Sequence, residues 1–374
     1  MRKKKILFLT GTRADYGKLK ALIHATKMHN NFKPIILATG MHIQKRYEYT
    51  YQEIAKDFKE VKLYKYSNQK IKDSMDLVVA KTINVFNKNL KLINPDLVVI
   101  HGDRVETLAA SIYCNLHNIL IAHIEGGEAS GTVDESLRHA ITKLSHIHFV
   151  SNSKAKKLLK RMGEIEKNIY TIGSPEVDIM VKKDLPSMSE VRQRYDIKFQ
   201  NYGILLFHPV TTLKKKEVEK QCASFFSAVK KSFKKFVIIF PNNDTYSDII
   251  FKHINELKNK KNFKVLPSLR FEYYLTLLKN SEFIIGNSSS GIREAPVYGV
   301  KSINLGNRQK NRITNNFIKN LDFQEKTIIR EIKKSKKNIR KGVFNFGRGN
   351  SAKMFIKILE KRSFWLTSKQ KYFT

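Results

Sequence analysis

The sequence predicts an α/β protein of two Rossmann-like domains facing a cleft. Short apolar runs alternate with longer segments of helical period, the mark of βαβ construction around parallel sheets. The rhythm breaks once, between Gly173 and Asn201, where Gly-Ser-Pro, Leu-Pro-Ser and a charged, poorly apolar stretch mark a boundary. The chain's 374 residues are also long for one core and comfortable for two. The expected division is residues 1–175, residues 176–362, and a tail, 363–374, placed to pack back on the first domain.

In the first half, apolar runs predict strands at Ile6–Thr10, Pro34–Thr39, Leu97–Ile100, Ile119–His123, Ile147–Val150 and Asn168–Ile172. Helical periodicity fills the intervals at Tyr16–His29, Ser74–Leu90, Val105–Leu116, Asp134–Ser145 and Ser153–Met162. Asn94-Pro95-Asp96 supplies the turn before the third strand. The second half predicts strands at Gly203–Phe207, Lys235–Phe240, Phe263–Leu266, Glu282–Ile285 and Lys301–Leu305. Its helices are expected at Glu217–Phe233, Arg270–Lys279, Gly291–Tyr298 and Gln324–Lys337, with a last helix, Ser351–Ser363, able to bridge back to the first domain.

Composition narrows the function. An apolar fraction of 41% supports folded cores. The two cysteines, Cys114 and Cys222, lie in apolar helical contexts and form no disulfide scaffold, in keeping with a reducing compartment. Met-Arg-Lys-Lys-Lys resembles the start of a signal segment, but the apolar run behind it is too short for one or for a membrane span. A cytoplasmic protein is expected. The net charge of +37, from 70 basic and 33 acidic residues, is scattered over helix faces, rich in lysine and poor in interleaved aromatics. That pattern argues against nucleic-acid recognition and for a positive field able to draw in an anionic ligand. The histidines show no metal-ligand spacing, so neither a metal nor another cofactor is expected.

In open α/β sheets, ligands sit beyond the carboxyl ends of the strands. The first such end is Gly11-Thr12-Arg13-Ala14-Asp15-Tyr16-Gly17, which either receives an anion at a helix start or forms a tight turn with Asp15 as helix cap. In His101-Gly102-Asp103-Arg104, Asp103 can move a proton or cap the next helix. The fourth strand runs into His123-Ile-Glu-Gly-Gly-Glu-Ala-Ser-Gly-Thr-Val-Asp-Glu-Ser-Leu-Arg-His139, which gathers carboxylates in a basic chain. Gly126 and Gly127 permit a sharp turn or a close approach to a ligand. Thr132 and Glu135 fit a capping box, and Asp134 with Arg138 and Glu135 with His139 are one helical turn apart. Clustered carboxylates also let a site set an acid and a base to different pKa values.

The second half places His208 after its first strand, in Phe-His-Pro-Val-Thr-Thr, where it is either structural or functional. Gly286-Asn-Ser-Ser-Ser-Gly-Ile-Arg-Glu-Ala-Pro296 reads as strand, hydroxyl-rich loop and helix, a pattern that cradles phosphate without lysine or metal. Glu294 suits two ribose hydroxyls, or simply complements the helix dipole. Arg308 and Arg312, four apart, could meet phosphate or carboxylate. The aromatic residues Phe271, Tyr273 and Tyr274 are better explained as core than as a stacking platform.

Taken together and in order, these motifs resemble the hydrolysing branch of the UDP-N-acetylglucosamine 2-epimerase family, whose fold is glycosyltransferase-B-like. The resemblance spans nearly the whole chain. Non-hydrolysing relatives usually carry Gly-Thr-Arg-Pro-Glu, Glu-Ala-Gly and Pro-Glu-Glu, and this chain departs from that pattern at each place. The resemblance implies that Asp103, Glu125 and Asp134 are the catalytic carboxylates, Arg13 the phosphate-facing arginine and His208 the histidine from the second domain. It further implies a diphosphate loop at Ser288, Ser290 and Gly291 and a ribose contact at Glu294. We take the substrate- and nucleotide-contacting set as Arg13, Asp15, His208, Asn243, Ser288, Ser289, Ser290, Gly291, Glu294 and Arg308. The implied reaction converts UDP-GlcNAc and water to N-acetylmannosamine and UDP through 2-acetamidoglucal, for sialic acid synthesis. The same chemistry on a UDP- or GDP-linked diacetamido sugar of legionaminic acid synthesis is the alternative. A nucleotide-sugar or nucleic-acid binder without turnover is the other class. The partners implied are the nucleotide sugar and further copies of the chain, as homodimer or homotetramer. Which carboxylate removes the C2 proton stays open.

Overall fold

The structure, a computed structural model, describes residues 2–70, 73–129, 133–242, 244–337 and 341–374. The chain forms two compact units: Met1–Glu128 with Asp134–Lys182 and Phe346–Thr374, and Ala129–Val133 with Lys183–Asn345.

The first unit is built on seven parallel strands, β1 (Lys4–Thr10), β2 (Phe32–Ala38), β3 (Lys62–Lys65), β4 (Leu97–His101), β5 (Ile121–Ile124), β6 (Ile147–Val150) and β7 (Ile169–Thr171), in the order β3-β2-β1-β4-β5-β6-β7. The helices are α1 (Arg13–Met28), α2 (Tyr51–Asp57), α3 (Met75–Ile93), α4 (Val105–Leu116), α5 (Val133–Leu144), α6 (Ser153–Arg161) and α7 (Pro175–Met180). Successive side chains of a strand point to opposite faces. Accordingly, Ile6 and Phe8 of β1 join the core under α1, while Leu7 and Leu9 join the core under α3 and α4. Helices on both faces explain why these strands read as unbroken apolar runs. The order reverses between β1, which pairs with β2, and β4 on its other side. The segments after β1 and β4 therefore emerge side by side at the switch point, where such sheets bind ligands.

The second unit opens with α8 (Met188–Tyr195), then runs β8 (Gly203–Leu206), α9 (Lys215–Lys231), β9 (Phe236–Ile239), α10 (Ser247–Asn255), β10 (Phe263–Leu266), α11 (Phe271–Lys279) and β11 (Phe283–Gly286). It closes with α12 (Ser290–Arg293), β12 (Lys301–Leu305), β13 (Ile318–Leu321) and α13 (Glu325–Lys334). Its six parallel strands take the order β10-β9-β8-β11-β12-β13, reversing between β8 and β11. Helices α14 (Ser351–Leu359) and α15 (Arg362–Trp365) belong to the first unit.

The boundaries lie at 182/183 and 345/346, not at the expected 175 and 362. Helix α7 packs on α1 and α14, and its Asp178 accepts the backbone N–H groups of Ser351 (2.9 Å) and Ala352 (2.7 Å), satisfying the start of α14. Strands β3 and β13 escaped the periodicity reading. Both are short edge strands, Lys-Leu-Tyr-Lys and Ile-Lys-Asn-Leu, with no fully buried residue. The expected helix Gly291–Tyr298 is instead the single turn α12 followed by a 3-10 turn, Ala295–Tyr298, that accommodates Pro296.

Phe355 of α14 is fully buried, with ring centroids 4.9 Å from Phe149 and 6.4 Å from Phe8. Phe355→Ala should therefore destabilise the first unit by about 3–5 kcal/mol in urea unfolding. A change under about 0.5 kcal/mol, the scale of a surface substitution, would show that α14 is no part of that core.

Candidate active site

Helix α1 begins directly after β1 because Thr12, in extended conformation, accepts the N–H of Asp15 at 3.1 Å. Thr12 is thus the cap, and Asp15 is left for other work. The Nε of Arg13 donates to Glu53 at 2.8 Å, while its buried Nη1 has no hydrogen-bond partner among the described residues. The same helix carries Lys18, whose Nζ bridges Glu125 (3.3 Å) and Glu176 of α7 (2.8 Å).

Asp103 stands one residue before the cap position of α4. The cap position is Arg104, with no side-chain capping bond, and Asp103 instead pairs with Arg138 of α5. The other guanidinium nitrogen donates to the Glu128 carbonyl at 2.6 Å, fixing Arg138 in place. The Asp103 side chain is 27% exposed, against 5% for Glu125. Nearby, fully buried His123 donates from Nε2 to the Gly102 carbonyl at 2.8 Å and accepts at Nδ1 from Thr142 of α5 at 3.2 Å. Burial pushes its pKa down to about 3, so it stays neutral and ties the Gly102–Asp103 turn to α5.

Glu125 follows β5 in left-handed backbone, φ 65°, a conformation that costs a non-glycine residue on the order of 1 kcal/mol. Its N–H is held by the Phe149 carbonyl at 2.8 Å. One carboxylate oxygen accepts from the Ser174 hydroxyl; the other faces Lys18 at 3.3 Å and His101 Nε2 at 3.1 Å. Gly127 has φ 78°, and a Cβ there would lie 2.6 Å from the Ala155 carbonyl oxygen, so that turn requires glycine.

His101, the last residue of β4, lies between two carboxylates, with Nδ1 3.4 Å from Asp15 and Nε2 3.1 Å from Glu125. Burial alone would lower its pKa, but the bonds to Asp15 and Glu125 overcome this and raise it to about 9. Burial would raise the pKa of Asp15, yet the hydrogen bond and charge of His101, with Arg104 nearby, hold it below its ordinary value.

Asp134 stands in the first turn of α5, where the helix dipole favours its charge. The pair one turn apart appears at Glu135 and His139, 3.5 Å. Thr132, of the expected capping box, lies outside the described residues.

In the second unit, His208 is buried, and its ring Nδ1 accepts the Asn242 N–H at 3.3 Å. That bond leaves the ring proton on Nε2. Asn287, fully buried, clamps the same turn: its Oδ1 accepts the His208 N–H (2.7 Å) and its Nδ2 donates to the His208 carbonyl (2.8 Å). The Asn287 carbonyl in turn receives Arg308 (3.3 Å) and Gln309 (2.8 Å). Asn287 thus binds the turns after β8, β11 and β12 to one another. The Ser288–Gly291 loop is a tighter turn than the sequence suggests. The Ser290 N–H faces the Ser288 hydroxyl (3.3 Å), the N–H groups of Gly291 and Ile292 face the carbonyls of Ser288 (3.2 Å) and Ser289 (2.9 Å), and Ser290 bonds to Tyr274. Gly291 serves packing: a Cβ there would lie 2.4 Å from the Ser302 hydroxyl. Glu294 is buried immediately after α12. Asn243 lies outside the described residues.

The structure therefore gathers Asp15, Asp103 and Glu125 with His101, Lys18, Arg138 and Ser174 at the strand ends of the first unit. It gathers His208, Ser288–Gly291 and Arg308 around Asn287 in the second. The candidate set drawn from the sequence omitted His101, Lys18, Ser174 and Asn287. His101 and Asn287 stand inside quoted strand-end motifs, and Lys18 lies one helical turn beyond Asp15. Ser174 was visible only as part of a domain break. Among the described residues, no group of three or more His, Cys, Asp or Glu could hold a metal, and no helix is long and apolar enough to cross a membrane.

A raised histidine pKa stabilises the fold fully below pH 6.5, and that contribution is lost as pH rises through about 9. Relative to His101→Gln, the unfolding free energy should thus fall by on the order of 3 kcal/mol between pH 6.5 and 9.5. The difference cancels Lys371, whose pKa, lowered to about 8, acts with the opposite sign in both proteins. A pH-independent difference in denaturation midpoints would remove the buried imidazolium.

Residues 24–360 match the UDP-N-acetylglucosamine 2-epimerase family. The chain is 42% identical over 374 residues to the UDP-N-acetylglucosamine 2-epimerase of Neisseria meningitidis serogroup B, covering 99% of this chain and 98% of the relative. It is 32% identical to the polysialic acid biosynthesis protein P7 of Escherichia coli (88% and 85% covered). It is 33% identical to the hydrolyzing UDP-N,N'-diacetylbacillosamine 2-epimerase of Legionella pneumophila (83% and 82% covered). Among solved structures, a UDP-GlcNAc 2-epimerase from Neisseria meningitidis bound to UDP-GlcNAc superposes with a TM-score of 0.77 at 21% identity, covering 95% of this chain and 99% of that one. The fold is the glycosyltransferase-B-like pair of parallel-sheet α/β domains. With its fold, its strand-end carboxylates and relatives matched over almost its full length, the chain belongs to the UDP-N-acetylglucosamine 2-epimerase family.

Proposed function

We propose that this protein is a hydrolysing UDP-GlcNAc 2-epimerase of the cytoplasm that releases N-acetylmannosamine and UDP for sialic acid synthesis. The observation that carries the reading is the set of strand-end carboxylates in two different settings, Asp103 partly exposed and Glu125 anchored inside the fold. The names of the Neisseria and Escherichia relatives support the substrate and the route, and the Legionella relative supports hydrolysis.

The first stage removes the C2 proton to a carboxylate as the C1–O bond to UDP breaks, leaving 2-acetamidoglucal. The base has to lie within about 3 Å of a weakly acidic proton, and the departing diphosphate needs neutralising as its charge develops. Asp103 suits the base: its side chain reaches the surface, and Arg138 holds it oriented. His208, with its proton on Nε2, suits a donor to the diphosphate, and so does the unsatisfied Nη1 of Arg13. In the second stage water adds its oxygen to C1, and C2 takes a proton on the opposite face, giving the manno product. Asp134, at the start of α5, is assigned to that water. Glu125 supplies a fixed negative charge rather than carrying a proton, because Ser174, Lys18 and His101 already occupy its oxygens.

The second reading keeps the chemistry and changes the sugar to a UDP- or GDP-linked diacetamido-trideoxyhexose of legionaminic acid synthesis, on the strength of the 33% identity to the Legionella enzyme. Incubation with UDP-GlcNAc in deuterated water separates the two. The expected NMR result is N-acetylmannosamine deuterated at C2 beside free UDP. Unchanged UDP-GlcNAc with rapid turnover of a diacetamido sugar would favour the second reading. Asp134→Asn should remain folded by circular dichroism and lose turnover by at least about 10²-fold. Near-normal activity would remove Asp134 from the mechanism.

A further inference from the structure

We propose that His101, in its doubly protonated form, is a positioning residue that holds the Glu125 carboxylate ionised and oriented during turnover. The role rests on the hydrolysing-epimerase reading above. Carboxylates only accept hydrogen bonds, so a ring with Asp15 3.4 Å from one nitrogen and Glu125 3.1 Å from the other carries N–H on both. The ring is 8% exposed, which leaves water little access to replace either bond. Titratable and charged groups surround it from several elements, the neutral His123 of β5 among them. Asp15 and Lys18 come from α1, Glu125 follows β5, Arg104 precedes α4, and Glu176 of α7 is joined through Lys18. Loss of the ring proton would turn a nitrogen lone pair toward a carboxylate oxygen, leaving Lys18 alone on the Glu125 oxygen that the ring now shares with it. Asp15 or Glu125 would then have to turn away. Glu125 has little freedom to do so, since its backbone is left-handed and its N–H is held by Phe149.

Apart from Arg13 and Asp15, the nucleotide contacts are assigned to the second unit, so deprotonation of His101 should act on kcat far more than on KM. The test is the pH profile of UDP-GlcNAc hydrolysis for the wild type, His101→Gln and His101→Asn between pH 6 and 10. Glutamine keeps an amide donor toward Glu125 and asparagine keeps one toward Asp15, and neither titrates. The wild type should show kcat falling on the alkaline side with an apparent pKa near 9. In folded His101→Gln that limb should vanish, kcat at pH 7 should fall about tenfold, and KM should stay within about twofold. A limb retained in the variant, or a loss confined to KM, would overturn the proposal. Should neither variant fold, a wild-type kcat flat from pH 7.5 to 9.5 would overturn it equally. A wild type with no turnover of UDP-GlcNAc at pH 7 would instead overturn the functional reading, and the role with it.

Discussion

The first unit depends on a buried ionic junction at Glu125. Its carboxylate draws a hydroxyl from Ser174, an ammonium from Lys18 and an imidazolium from His101, and so ties together the end of β4, the end of β5, α1 and the segment leading into α7. Removing charges from water costs several kcal/mol per ion, and apolar residues of similar volume would often serve stability as well. The junction is therefore better understood as a device of position. It holds one carboxylate rigid at the same end of the sheet as a second, Asp103, that reaches the surface. Two carboxylates at one end of a sheet thereby sit in different surroundings, one anchored inside the fold and one partly exposed.

The second unit reaches rigidity by other means. Asn287 uses both ends of its amide on the backbone of His208 and lends its carbonyl to Arg308 and Gln309. A neutral amide does there what ions do in the first unit, and with fewer charges to desolvate. The loop of serines beyond it spends several of its N–H groups on its own turn. The net charge of +37 acts over a longer range, concentrating polyanionic ligands near the protein.

Much of this was legible in the sequence. Interior strands with mostly buried residues, such as β6 and β12, stand out as apolar runs, and their expected bounds match the structure. The strand-end motifs made Asp103, Glu125 and His208 candidates because open α/β sheets bind ligands beyond the carboxyl ends of their strands, and the structure puts all three just after strands. What escaped notice lacked local signal. Edge strands β3 and β13 have too little buried surface to impose a pattern. The first domain boundary lies seven residues beyond the expected one, because α7 packs on α1 and α14 and its Asp178 bonds to the start of α14, far along the chain. His101 and Lys18 gain their meaning only when α1, β4 and β5 are folded together, and no spacing rule connects them.

The junction at Glu125 requires that the imidazole of His101 stay charged inside the fold. The most direct measurement is NMR of the protein labelled with 15N in its histidine rings, with the His101 signals assigned by their loss in His101→Gln. Both ring nitrogens should show the shifts of a protonated imidazolium from pH 6 through 8, changing only as pH approaches about 9. Signals of a neutral tautomer at pH 7.5 would contradict the account.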